Sequence, residues 1–442
     1  MSSGRTGSAR SARGLDLLNF FVANIQTGFG PFIAVYLSAQ AWTEFEIGMA
    51  LSVGTFTAMV SQLPAGALVD ATPRKKLAAL VAILCMPVSA LLLVAVEPRQ
   101  LPVMLSEVLH GIASCVLAPA IAAISLALVG RAALGERLGR NARFAAIGNG
   151  AAAGLLGLAG TYISSAAVFW LTAALAIPSL IALAMIRQAD LVTVVQREQA
   201  TKGQSGLLTL LRNRGVLIFS GCCLLFTLAN AAMLPLAGSE VARNTGDEAN
   251  LIIAACIVAP QLVVAAISPW IGRLAERRGR RVALMIGFAA LPLRGLLLAV
   301  VSDPMVLILV QALDGVSAAS LGVLLPLLSA DLTRGTNRFN LCMGIFGLAV
   351  GIGGTLSTTV AGATATWFGS GVAFGLLALV GLLSFLLVVF VMPETREGDS
   401  EQRIRTPAAP DKRPPNPHPA KGRGAEEVVR DGGRRVGRPA GR

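Results

Sequence analysis

The chain has 442 residues, 54% of them hydrophobic and only 14% charged, with a mean hydropathy of +0.69. Soluble domains carry about 25% charged residues, so an ordinary soluble globular protein is excluded. The net charge of +13 does not point to nucleic acid, because Lys and Arg fall almost wholly between alternate apolar runs or in the tails.

Residues 1–15 are polar and basic. The apolar run that follows is too long for a signal-peptide core and is read as an uncleaved first span. Apolar runs long enough to cross a bilayer as helices recur from Leu15 to Val391. They are continuous rather than alternating, which argues against a membrane β-barrel. Twelve spans are predicted, at 16–38, 46–68, 77–96, 101–128, 144–163, 166–186, 215–237, 249–271, 282–301, 304–328, 341–363 and 370–392. A polar stretch, 187–214, divides them into two sets of six, 16–186 and 215–392. Residues 393–442 are rich in Pro, Arg, Gly and Glu and read as a disordered basic tail.

Almost all of the 37 Lys and Arg lie in the termini, the linker and alternate loops; the opposite loops hold only Arg99 and Arg243. The positive-inside bias then places both termini in the cytoplasm, with the chain in a bacterial-style inner (cytoplasmic) membrane. The six cysteines lie inside predicted spans without metal-ligand spacing and read as free packing thiols. No phosphate-binding Gly-rich loop is present, no metal site or cofactor is expected, and the lipid bilayer is an expected partner.

The chain carries an internal repeat. Gly66-Ala-Leu-Val-Asp70-Ala-Thr-Pro-Arg74-Lys75-Lys76 recurs 206 positions later as Gly272-Arg-Leu-Ala-Glu276-Arg-Arg-Gly279-Arg280-Arg281. Ala23-Asn24 matches Ala229-Asn230, and Glu107-Val-Leu-His110-Gly111 matches Gln311-Ala-Leu-Asp314-Gly315. Arg143-Phe144 and Arg338-Phe339 read as a fourth match, at a shorter offset of 195. Ordered matches of this kind imply a duplicated six-span unit.

The repeated loop, G-x-x-x-D-R/K-x-G-R-R/K in outline, resembles that of the major facilitator superfamily. The second copy fits with Glu276 for Asp; the first keeps Gly66, Asp70, Arg74 and Lys75 but has Ala71 and Pro73 where the family has a base and Gly. The resemblance covers about residues 15–392. It implies an all-α membrane protein of twelve helices in two pseudo-symmetric six-helix bundles, acting as a monomeric secondary transporter. It further implies that Asp70 and Arg74, with Gly66, Gly272, Glu276, Gly279 and Arg280, form a conformational latch toward the N-terminus of span eleven and Arg143 or Arg338. The alternative is that these charges only set topology. Two family features are incomplete. The glycine-rich span-five stretch from Gly148 to Gly160 lacks the proline of drug–proton antiporters, and the span-four position that often holds Arg is Glu107.

Ionisable groups inside spans are costly and mark function. Asp314 falls near the middle of span ten, where burial disfavours its ionised form, as a proton carrier requires; the alternative is a protonated or hydrogen-bonded carboxyl that holds two helices together. Glu107 and His110 are one turn apart on span four and could form a relay with Asp314; the alternative for His110 is a satisfied packing residue. Asn24, Gln26 and Asn230 are candidate substrate contacts, because polar amides in the first helix of each half suit a cavity lining; interhelical hydrogen bonding is the alternative. Arg294 in span nine reads as a structural counter-ion for an acid, with binding of an anionic substrate as the alternative. These residues favour proton-coupled efflux of a lipophilic or cationic small molecule. Uptake of a small metabolite is the runner-up. A lipid-modifying membrane enzyme is a rival of another class, opposed by the presence of only two histidines, His110 and His418.

Overall fold

A computed structural model describes residues 8–29, 31–95, 98–191, 207–238, 249–301 and 303–396, all within one compact unit. Among these residues the secondary structure is helical, and twelve helices are long and apolar enough to cross a membrane. Span one (Ala9–Ala39) is two helices, Ala9–Thr27 and Pro31–Ala39, interrupted beside Gly28 and Phe29. Spans two to six are Glu44–Ala71, Lys75–Val94, Gln100–Val129, Leu134–Tyr162 and Ser165–Met185. Spans seven to twelve are Arg214–Gly238, Ala249–Arg278, Arg280–Val300, Pro304–Leu332, Phe339–Phe368 and Ser370–Phe390.

Local chemistry sets the helix ends. Thr43 and Glu46 form a reciprocal capping box at the start of span two. Asp303 caps span ten, with Pro304 at the first helical position. Gly279, at φ +108°, makes the sharp turn from span eight into span nine. Span five begins ten residues before the predicted start, because the charged stretch Leu134–Arg143 is helical and lies beyond the apolar run.

The helices form two bundles that meet along spans two and eleven and along spans five and eight. The same close approaches recur in both. Gly111 of span four packs on the Gly54 carbonyl, and Gly315 of span ten on the Pro260 carbonyl. Gly148 of span five packs on the Phe20 carbonyl, and Gly353 of span eleven on the Leu224 carbonyl. Absence of a side chain lets backbones touch where apolar burial alone cannot drive association. Three further span-five glycines do not act this way: a side chain at Gly150, Gly154 or Gly157 would meet open space.

The register of the repeat is 204 to 206 throughout, so the pairing of Arg143 with Arg338 is corrected. Arg143 lies inside the span-five helix, whereas Arg338 is the N-cap of span eleven. Leu134, the first residue of span five, corresponds to Phe339, the first of span eleven. The tail boundary also shifts. Residues Pro393–Arg396 are held against the second motif loop: Glu394 accepts from the Arg280 and Arg281 amides at 2.9 and 3.1 Å, and Arg396 donates to the Arg277 carbonyl at 2.6 Å. The tail 397–442 and linker residues 192–206 lie outside the described residues; within the linker, Gln188–Leu191 is a 3-10 turn and Leu207–Arg212 a short helix.

Candidate functional site

The motif loops build two matching cradles between the bundles. Asp70, on the last turn of span two, is buried against the N-terminus of span eleven. Its Oδ1 accepts from the Asn340 amide (3.0 Å) and side-chain Nδ2 (2.7 Å), and its Oδ2 from the Leu341 amide (2.8 Å). First-turn amides lack intrahelical partners and sit at the positive end of the helix dipole, so a carboxylate fits there. One turn earlier, Gly66 lets span two lie on the Asn340 carbonyl; any side chain would strike that backbone.

The second cradle repeats the first. Glu276, on the last turns of span eight, accepts from the Glu136 amide of span five at 3.0 Å, with the Gly135 amide beside it. Gly272 lies on the Gly135 carbonyl as Gly66 lies on that of Asn340. A base closes the preceding helix end in each copy. Lys75 Nζ donates to the Val69 and Asp70 carbonyls at 2.6 and 3.1 Å, and Arg280 Nη1 to the Ala275 carbonyl at 2.7 Å. Arg280 also pairs with Asp331 at 2.9 Å.

Several predicted latch residues stand elsewhere. Arg74 is exposed and does not reach Asp70; the base at that helix end is Lys75. Arg143 donates to the Ala265 and Ala266 carbonyls of span eight at 2.8 and 3.4 Å, so it bridges the bundles without touching Asp70. Arg338 is the residue before the Asp70 cradle, as N-cap of span eleven. Gly279 packs under Glu394 rather than in the cradle.

Mid-depth, the two halves diverge. In the C-terminal half Arg294 is 1% exposed. Its Nη1 donates to Asp314 Oδ1 at 2.7 Å and to Asn230 Oδ1 at 2.5 Å, and its Nη2 to Gln311 Oε1 at 2.6 Å. Asp314 is therefore not the isolated carboxyl expected of a proton carrier. It is half of an ion pair, and Asn230 is occupied as a ligand of the same guanidinium.

In the N-terminal half no such cation is found among the described residues. Glu107 is 4% exposed, with its carboxyl against Gly54 of span two and its Oε1 without a hydrogen-bond partner among the described residues. His110 turns to other groups: its ring stacks on Phe29 at 4.0 Å, and Nε2 shares a hydrogen bond with Ser114 at 3.2 Å. No bond joins Glu107, His110 and Asp314 among the described residues, so the expected relay is not assembled. Asn24 is buried, donates to the Phe20 carbonyl of its own helix at 2.7 Å and faces Gly148. It packs between spans one and five. Gln26 is half-buried.

Sequence reasoning missed Asp16, Arg137 and Arg140. Buried Asp16 of span one pairs with Arg137, and with Arg140 at 2.5 Å, tying span one to span five. It also missed Asn340 and the Gly135–Glu136 pair as partners of the latch acids. The repeat register would have found both, since at an offset of 205, within the 204 to 206 of the other matches, Gly135-Glu136 stands opposite Asn340-Leu341.

Comparison with known proteins agrees with this geometry. The Major Facilitator Superfamily matches residues 15–256 and again residues 222–432. An uncharacterized MFS-type transporter of Mycobacterium tuberculosis is 36% identical over 403 residues, 90% of this chain and 96% of the relative. The class B tetracycline resistance protein of Escherichia coli is 28% identical over 161 residues, 36% of this chain and 37% of its own length. The solved structure of the Escherichia coli fucose:proton symporter shares the fold at a TM-score of 0.70 and 14% identity, covering 85% of this chain and 97% of that one. With two bundles in one register, twin cradles between them and a relative aligned over nearly its whole length, the chain belongs to the major facilitator superfamily and is a multi-pass membrane transporter, not an enzyme.

Proposed function

We propose that this transporter exports a lipophilic or cationic small molecule in exchange for protons, by alternating access. It acts as a monomer in the cytoplasmic membrane, with both termini and the motif loops inside. Residues 16–186 and 215–392 are the rocking bundles, and the Asp70 and Glu276 cradles hold the loop side shut.

One observation carries the coupling assignment: Glu107 is buried in span four with an Oε1 that has no partner among the described residues. A carboxylate left so in a low-dielectric bundle costs several kcal/mol, whereas a neutral carboxyl costs far less. Glu107 is thus the group that holds a proton in this conformation and releases it when the bundles rock and water arrives. Asp314 balances Arg294 and keeps the opposite half neutral. The tetracycline-resistance relative supports efflux over uptake.

The test uses everted membrane vesicles with an acid interior and a panel of lipophilic amines. A transported compound should cause proton release, and Glu107→Gln should abolish that release while leaving compound exchange at zero gradient. Undiminished proton release by Glu107→Gln contradicts the assignment.

A further inference from the structure

We infer that the groove between spans three and six, at the motif-loop end, is a binding site for an anionic membrane phospholipid. The groove encloses about 460 Å³. Its rim is polar and basic, formed by Arg74, Lys76 and Gln188; its wall is apolar, formed by Leu77 and Leu80 of span three and Leu180 and Leu183 of span six. Leu77 and Leu80 are three apart on one helix, as are Leu180 and Leu183, so each pair makes a continuous stripe running from the rim toward mid-membrane. Cations above and hydrocarbon below match one molecule with a charged head and acyl chains.

Among the described residues no acid pairs with the rim cations. Asp70, the nearest acid in sequence, spends its oxygens on Asn340 and Leu341 of span eleven. Asp190, just past the rim, spends its Oδ2 on Ser8 and Ser11. Lys75 turns inward to the Val69 and Asp70 carbonyls, while Arg74 on one side of it stays exposed with no hydrogen bond or ion pair among the described residues. On the other side Lys76 donates to the Ile186 carbonyl, which fixes its ammonium at the groove with donors to spare. Two cations and an amide thus converge where a phosphodiester would lie. An anionic lipid, rather than a zwitterionic one, supplies the net charge that balances them.

The probe is dioleoylphosphatidylglycerol, titrated onto the full chain in detergent and counted by native mass spectrometry. Dioleoylphosphatidylethanolamine and inorganic phosphate serve as the zwitterionic and the lipid-free arms. One phosphatidylglycerol adduct should be retained, weakened roughly fivefold by Arg74→Gln or Lys76→Gln and about twenty-five-fold by both. Leu80→Trp keeps both cations and the Lys76–Ile186 bond but fills the groove, and should remove the same adduct. Arg273→Gln on span eight should leave it in place. Equal retention of phosphatidylethanolamine, equal binding of free phosphate, or an adduct that survives Leu80→Trp at wild-type strength would overturn the assignment.

Discussion

At their motif-loop ends the two halves are copies; at mid-depth they are not. Gly66, Asp70 and Lys75 do at one bundle interface what Gly272, Glu276 and Arg280 do at the other. Midway along the spans the same register sets Ser89 opposite Arg294, Glu107 opposite Gln311 and His110 opposite Asp314, with Pro87 and Pro292 in step. One half carries a charge-balanced ion pair at Arg294, and the other a carboxyl with no such counter-ion among the described residues. A gate at a bundle interface must close on both sides of a two-fold axis, so its parts stay alike. A proton site needs only one copy, so the interior is free to specialise.

The largest expected effect breaks the balance on one side only. Arg294→Ala leaves Asp314 without its counter-ion and should cost about 3–5 kcal/mol in thermal or denaturant unfolding. The double variant Arg294→Ala/Asp314→Ala should recover much of the loss. The Ser89 hydroxyl, at the corresponding position, bonds the Ser106 carbonyl and hydroxyl, so Ser89→Ala should cost about 1 kcal/mol. Equal costs at the two positions would remove the contrast.

Next in size, Gly66→Val and Gly272→Val each drive a side chain into a partner backbone and should disfavour the loop-closed state by about 1–3 kcal/mol. Cysteine alkylation at the loop ends should rise similarly in both. A smaller difference separates the cradles themselves. Asp70 is buried and takes three N–H bonds, whereas Glu276 is half-buried. Asp70→Asn should therefore disfavour closure by about 2 kcal/mol and Glu276→Gln by about 1 kcal/mol. The smallest effect lies outside both cradles. Hydrogen bonds from the Ser11 and Ser8 hydroxyls hold the Asp190 carboxyl below the usual carboxylate range. Its contribution to stability is then present above the ordinary carboxyl pKa and lost as pH falls through the lowered value. Wild type should melt slightly above Asp190→Asn at pH 7, and the gap should close in acid.

Much of the fold was legible because hydropathy and span length report directly on the bilayer. Twelve runs and their halfway division followed from that, and the repeat followed from ordered residue matches between the halves. The boundary of span five did not, since Leu134–Arg143 is a charged helix end that hydropathy reads as loop. The acids of the cradles were legible as Asp70 and Glu276, but their partners are mostly backbone amides, which leave no side-chain signature. The mid-depth residues were named as unusual and Arg294 was read as a structural counter-ion, but Asp314 was read as the proton carrier rather than as the partner of Arg294. Whether a buried carboxyl is paired depends on a neighbour from another span, and no local pattern announces that Arg294 of span nine reaches Asp314 of span ten.

The central claim is that the two carboxylate cradles jointly hold the motif-loop side shut. Spin labels at Ala71 and Asn337, and in a second sample at Ala133 and Arg277, flank the two cradles at exposed positions. Distances by double electron–electron resonance in nanodiscs should be short and narrow in the wild type. In Asp70→Asn/Glu276→Gln both pairs should move together to a longer, populated state. Distributions unchanged in that double variant, or one pair opening while the other stays closed, would contradict the account.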